Sequence, residues 1–166
     1  MSKALSSERV PVLRAEEVRR HYVQKKKHVR PDGTVARRAV VKAVDGVSFA
    51  IAPGEIAGVI GESGCGKSTL GRLLVRLEKC TAGGIYLDGT DMEALYRGDR
   101  LAFRRQTQMV FQNPFDTFDP RHSIGKILTD TMKLHHIGGS EAERRELAVQ
   151  ELASAGLLPA ESFLDR

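Results

Sequence analysis

The order of apolar and polar positions predicts a β-rich beginning and a helical end. From Val12 to Tyr22 apolar and charged residues roughly alternate, which predicts a strand. The polar stretch QKKKHVRPDGTVARR follows, with a Pro-Asp-Gly turn at Pro31 to Gly33, and predicts a loop or hairpin tip. Residues 39–51, AVVKAVDGVSFAI, predict two short strands meeting at Asp45-Gly46, and Pro53-Gly54 marks a tight turn. The continuous apolar run EIAGVIG has the pattern of a buried strand.

A Gly-rich loop comes next, then STLGRLLVRLE, where Leu70, Leu73, Leu74 and Leu77 share one helical face. GIYLD predicts a strand closed by Asp88-Gly89, and TQMVFQ another strand. NPFDTFDP reads as a loop, in which turn chemistry explains Asp116 and Asp119 better than a carboxylate pair does. Helical patterning begins at Ser123. Ser140 with Glu143 forms a capping box for a helix running to about Ala155, ended by Gly156 and followed by Pro159. His135 and His136 read as exposed helix-end residues rather than metal ligands.

Composition sets outer bounds. The 166 residues suffice for one domain, and 41% apolar with 28% charged residues suits a soluble globular protein. No apolar run approaches the roughly 20 residues of a membrane span. The opening MSKALSSERVPVLR has no apolar signal-peptide core, so a cytosolic chain, or one peripheral to a membrane from the cytosolic side, is expected. The net charge of +5 permits an acidic partner without choosing one. Much of the excess lies between Arg19 and Arg38, where a solvated loop is the plain explanation, Lys25, Lys26 and Lys27 included. Cys65 and Cys80 do not make a disulfide framework.

The strongest chemical signal is GESGCGKS, Gly61 to Ser68, which satisfies G-x-x-x-x-G-K-[ST]. Glycines let the backbone curl until successive N–H groups face one concavity, and the following helix adds its free N–H groups and positive dipole end. A polyphosphate fits that nest. Lys67 would supply charge to the β- and γ-phosphates, the Ser68 hydroxyl would ligate Mg²⁺, and Thr69 would reach the α-phosphate. Cys65 lies inside the loop, so a bound nucleotide should shield it from alkylation.

The flanking residues identify the kind of nucleotide protein. GVSFAIAPGEIAGVIGESGCGKSTLGRLLVRLEKCTAGGIYLDG closely resembles the first half of an ATP-binding-cassette (ABC) transporter ATPase, and MVFQNPFDTFDPRHSIGKIL resembles the region holding that family's Q-loop. The interval between Tyr22 and the phosphate loop and the ending LLPAESFLDR look like the oligopeptide/dipeptide importer subfamily. The resemblance covers about residues 10–166. It implies an α/β fold: a P-loop NTPase core with an N-terminal antiparallel β subdomain and the start of a helical subdomain, truncated before the signature motif. Residues 10–112 would form the β subdomain and core, 113–122 the Q-loop segment, and 123–166 the start of the helical subdomain.

The resemblance also implies roles. Gly61, Glu62, Ser63, Gly64, Cys65, Gly66, Lys67, Ser68 and Thr69 would surround the phosphates of ATP. Tyr22 matches the aromatic that stacks on adenine, and Gln112 matches the glutamine that joins Ser68 on Mg²⁺. Asn113 to Arg121 would lie near the membrane permease subunits. A second ATPase subunit and, indirectly, a solute-binding protein complete the implied partners, at the cytoplasmic face of the membrane. Nucleic acid is not expected as a partner, although the charge permits a soluble ABC ATPase acting on it.

Several family elements have no match. Gly138-Gly139-Ser140 lacks the rest of an LSGGQ-type signature, Asp88 is followed by Gly89 where a catalytic Glu would stand, and no switch histidine can be assigned. No catalytic residue is therefore assigned. This chain alone is expected to bind ATP weakly, to turn none over and to be poorly stable. A non-catalytic nucleotide-binding fragment is the alternative.

Overall fold

The computed structural model describes residues 10–23, 39–113 and 118–166. These form two compact units, one up to Gln108 and one from Met109 onward. The basic stretch 24–38, with Lys25 to Lys27 and the turn expected at Pro31 to Gly33, lies outside the described residues, as does Asp116.

The first unit is built on an antiparallel sheet of β1 (Leu13–Val23), β2 (Val40–Ile51), β3 (Ala82–Leu87) and β4 (Thr90–Asp91), in the order β2-β1-β3-β4. Leu13 pairs with Ile51 and Tyr22 with Val41, so β1 and β2 run against each other along most of their length. Ala15 and Val18 both point into the core although they differ by three positions. A bulge with Glu17 at φ 45° shifts the side-chain phase between them.

Two expected strands at residues 39–51 are one. Gly46 sits at φ 80°, and the register steps from Val18↔Val47 to Arg19↔Asp45. The glycine is thus absorbed as a bulge, and the strand is not turned back at Asp45-Gly46. At the end of β3 the turn does form. Asp88 and Gly89 both have positive φ, 47° and 78°, as a two-residue type I′ hairpin loop requires.

Helix α1 (Lys67–Leu74) follows the Gly-rich loop and buries Leu70 and Leu73 against Val18, Val44, Ile85, Leu87, Met92 and Phe103. It stops one turn earlier than the leucine spacing predicts, and Leu77 is exposed. Arg76 enters the left-handed region at φ 55°, and the N–H groups of Leu77 and Arg76 donate to Arg72 and Leu73 carbonyls at 2.8 and 3.0 Å. This is a Schellman ending with arginine where glycine is usual. The strained residue is held from its side chain: the Arg76 guanidinium pairs with Glu93 and lies 4.5 Å from the Tyr96 ring centroid. Arg104 donates to the Val75 carbonyl at 2.7 Å, satisfying another open acceptor at that helix end.

Helices α2 (Met92–Gly98) and α3 (Arg100–Gln106) complete the unit. Each starts at an aspartate cap. Asp91 accepts from Ala94 N–H, and Asp99 from Leu101 and Ala102 N–H, all at 2.9 Å.

Two runs expected as strands, EIAGVIG as a buried one and TQMVFQ, are not strands. Within EIAGVIG, Ile56 and Ile60 are each 98% exposed, and Val110 of TQMVFQ is 95% exposed. A doubly buried strand needs ladder neighbours on each side and layers above and below. Among the described residues neither run has a pairing strand.

The second unit contains α4 (Ile124–Leu134), α5 (Glu141–Ser154) and α6 (Glu161–Leu164) around Ala148, Leu152, Ala160 and Leu164. Gly125 permits the close approach of α4 to α6, since an added Cβ would lie 2.8 Å from the Leu164 carbonyl oxygen. Ser140 caps α5 as its sequence predicts, accepting from Glu143 N–H at 3.1 Å. The reciprocal half of the box moves by one residue: Glu143 accepts from Gly139 N–H at 2.7 Å. Gly156 ends α5 at φ 80°. His136, at φ 55°, takes the corresponding position after α4. Among the described residues no helix is long and apolar enough to cross a membrane, and no cluster of His, Cys, Asp and Glu is arranged for a metal ion.

Candidate phosphate-binding loop

The loop Gly61 to Ser68 is exposed from Gly61 to Cys65 and enters the fold at Gly66 and the start of α1. Two of its glycines, Gly64 and Gly66, occupy the left-handed region at φ 82° and 99°. Gly66 is also sterically required. A Cβ there would lie 2.0 Å from the Ala43 carbonyl oxygen, so β2 touches the loop where only glycine fits. Gly61 approaches Cys65 closely, with its would-be Cβ 2.7 Å from the thiol sulfur.

Lys67, the first residue of α1, folds back over this loop. Its ammonium donates to the Gly61 carbonyl at 2.8 Å and to the Glu62 carbonyl at 2.7 Å, and lies 3.8 Å from Cys65 Sγ. Among the described residues no carboxylate pairs with it within ion-pair distance. Two backbone carbonyls thus orient a full positive charge without neutralising it.

The helix end beside it has the same character. No side chain caps α1, and its first turn holds no acidic residue. The first intrahelical bond of the turn is from Leu70 N–H to the Gly66 carbonyl at 2.8 Å, which leaves the preceding N–H groups for an external acceptor. By contrast α2 and α3 fill the equivalent sites with their own aspartates. A glycine-shaped concavity, an uncapped helix start and an unneutralised lysine fit an anion, and polyphosphate in particular. Ser68 and Thr69 follow in the first turn; Ser68 is exposed and Thr69 half-buried. Glu62 and Ser63 lie on the exposed outer part of the loop.

Tyr22 sits near the end of β1. Its hydroxyl donates to Glu78, in the segment after α1, and the Arg20 guanidinium lies 4.5 Å from its ring centroid. Sequence reasoning did not find these partners. The signal for Arg20 was present, because residues i and i+2 of a strand share a face. Glu78 is brought in by tertiary packing. Gln112 belongs to the second unit and is exposed. Of the residues expected at a nucleotide site, Gly61 to Thr69 therefore share one loop and helix start, whereas Tyr22 is on a separate strand of that unit.

In the segment expected near a membrane partner, residues 114–117 lie outside the description. Asp119 next to them is clamped by Arg121, whose Nε donates to it at 2.9 Å. Hydrogen bonds from the Arg121 side chain and then its backbone N–H hold the Asp119 carboxyl at about 2, below its ordinary value of 3.8. Because the folded value is depressed, this contact stabilises the turn above pH 3.8 and is lost as pH falls through about 2. An NMR titration should place the Asp119 midpoint near 2, and Arg121→Gln should return it towards 3.8. An unchanged midpoint in the variant would contradict this origin.

Comparison with known proteins decides the family. Residues 44–161 match the profile of the family described as ABC transporter. The chain belongs to that family. The Escherichia coli (strain K12) dipeptide transport ATP-binding protein DppF is 41% identical over 147 residues, which are 89% of this chain and 42% of that protein. A Bacillus subtilis (strain 168) protein named for oligopeptide transport, YkfD, is 38% identical over 151 residues, or 91% of this chain and 43% of the relative. This ABC chain thus spans about two-fifths of the length of the curated relatives it matches.

The same family fold is seen in a dimeric bacterial ABC transporter cassette, MJ0796, with a TM-score of 0.69 at 23% identity, covering 93% of this chain and 60% of that one. The fold is that of an α/β P-loop NTPase cassette, with its antiparallel β portion and a helical portion both present.

Proposed function

We propose that this chain is the ATP-binding portion of an ABC importer subunit that couples ATP binding and hydrolysis to the uptake of peptides or similar solutes. The observation that carries the nucleotide site is the Lys67 ammonium, oriented by the Gly61 and Glu62 carbonyls over an uncapped helix start. The peptide class is supported by the names of relatives such as DppF, a dipeptide transport ATP-binding protein.

In this reading the N–H groups of Gly66 to Thr69 receive the phosphates, and Lys67 turns from its two carbonyls towards the β- and γ-phosphate oxygens. Tyr22 stacks on adenine, a contact that needs one ring face and little geometric precision. Mg²⁺, bound by the Ser68 hydroxyl and Gln112, would neutralise charge on the terminal phosphates. Residues 10–112 serve as β subdomain and core, 113–122 as the Q-loop segment and 123–166 as the start of the helical subdomain. The segment Asn113 to Arg121 faces the permease subunits, a second ATPase subunit completes the nucleotide sandwich, and the assembly is peripheral at the cytoplasmic face of the membrane. A solute-binding protein takes part indirectly. The group that orients water is not assigned to any residue here, so this stretch alone binds nucleotide without turnover.

Alkylation of Cys65 tests the placement. Cys65 is exposed, whereas Cys80 is half-buried and burial pushes its thiol up, with Glu93 adding to the shift. Labelling of Cys65 in the natural protein should slow when Mg-ATP is added, with Cys80 as a slowly reacting internal reference. Equal Cys65 rates with and without nucleotide would contradict the site.

A further inference from the structure

Tyr22 is not a free-standing aromatic. Its hydroxyl is held by Glu78, and the guanidinium carbon of Arg20, from the same strand face, lies over the ring 4.5 Å from its centroid. Arg20 is itself fixed at two points. Its Nε donates to Glu78 Oε2 at 3.2 Å and a terminal nitrogen donates to the Lys79 carbonyl at 3.1 Å. The Arg20 and Glu78 side chains are only 25% and 21% exposed, so water screens this pair less than it does the surface pairs nearby.

Glu78 also ties the ring to the phosphate-binding helix. Its backbone N–H donates to the Arg72 carbonyl in the last turn of α1 at 3.2 Å, and its other carboxylate oxygen lies 3.8 Å from the Arg72 guanidinium. The connection therefore runs from the helix that starts at Lys67, through Glu78, to the Tyr22 ring.

We propose that Arg20 and Glu78 are positioning residues that cover one face of Tyr22, fix its tilt, and present the opposite face as a one-sided platform for the purine of a nucleoside triphosphate. This rests on the reading of Tyr22 as the adenine-stacking ring. The physical gain is pre-organisation: a ring already held on one face and at its hydroxyl loses little rotational freedom when a base settles on the other. The guanidinium occupies one side of the ring, so a base would approach from the other. Glu78 makes the platform and the phosphate loop parts of one connected unit, so base and phosphates are offered sites at a fixed separation.

The test uses the full natural protein and two probes, Mg-ATP and Mg-tripolyphosphate, the second of which has no base. Arg20→Gln and Glu78→Ala should each weaken Mg-ATP by about fivefold, at the low end of what base–aromatic stacking contributes, and leave tripolyphosphate binding unchanged. In a Tyr22→Ala background the same substitutions should have no further effect on ATP, because they act through the ring. Lys67→Ala should weaken both probes. Thermal melting of each variant checks the fold, and Tyr22→Phe, which removes only the hydroxyl, gives a second route with minimal disturbance.

The outcomes separate the two ideas. If Tyr22→Ala weakens ATP while Arg20→Gln, Glu78→Ala and Tyr22→Phe bind it as tightly as the parent or more tightly, stacking stands and the clamp is overturned. A loss that persists in the Tyr22→Ala background, or that affects tripolyphosphate equally, also overturns it. If Tyr22→Ala leaves ATP binding unchanged while Lys67→Ala weakens it, the adenine reading itself fails and the clamp falls with it.

Discussion

Lys67→Ala is expected to weaken Mg-ATP binding by about 10- to 150-fold, the range given by losing charge-assisted hydrogen bonds of about 1.5–3 kcal/mol. The fold should barely notice. The ammonium's partners are the Gly61 and Glu62 carbonyls of an exposed loop, which water can satisfy once the side chain is gone. Stability should change by no more than about 0.5 kcal/mol, as for surface substitutions that remove no buried contact. The combination separates a ligand role from a structural one. Isothermal titration of the natural protein reads the affinity, and thermal unfolding reads the fold. Unchanged affinity would mean that Lys67 serves the loop and not a phosphate. A large fall in melting temperature would mean that the two carbonyl contacts hold the loop in place.

Gly66→Ala should be the most damaging single change in the loop. The residue lies at φ 99°, where an L side chain costs roughly 1–2 kcal/mol. Its Cβ would also lie 2.0 Å from the Ala43 carbonyl oxygen and 3.2 Å from its carbonyl carbon, and both atoms are strand backbone, which cannot rotate away. Relief requires the loop to lift off β2, carrying Lys67 and the start of α1 with it. The expected cost is about 3 kcal/mol, together with loss of nucleotide binding. Gly64→Ala provides the control. It shares the left-handed backbone, at φ 82°, but nothing lies within 4 Å of its would-be Cβ. Only the conformational cost of about 1 kcal/mol should remain. Equal destabilisation by the two substitutions, measured by thermal melting, would show that contact with Ala43 does not fix the loop.

The sequence disclosed those features that local chemistry decides. Asp88-Gly89 forms its hairpin because the turn needs two positive φ values and those residue types accept them. Ser140 caps α5 and Gly156 ends it for equally local reasons. The phosphate loop was legible because its glycines, lysine and serine must be adjacent in sequence to be adjacent in space.

Where neighbours decide, the pattern misled or was silent. Leu77 continues the leucine stripe of α1, yet the helix ends before it, because Arg76 accepts a left-handed backbone while clamped by Glu93 and Tyr96. Gly46 resembles a turn but is a bulge, because β1 runs alongside it and keeps the ladder continuous on both sides. Ile56 and Ile60 have the composition of a buried strand without a strand to pair with among the described residues. Helices α2 and α3 are too short for a clear apolar stripe, and their sequence signal is confined to Asp91 and Asp99 as N-caps before MEAL and RLAF. At the candidate site, Glu78 was invisible because 56 residues separate it from Tyr22.

In the proposed function the nucleotide site of this ABC chain lies at Gly61 to Thr69. Equilibrium titration of the natural protein with Mg-ATP tests it most directly. Saturable binding of one ATP per chain is expected, dependent on Mg²⁺ and weakened by Lys67→Ala. Absence of saturable binding, or binding that Lys67→Ala leaves intact, would contradict it.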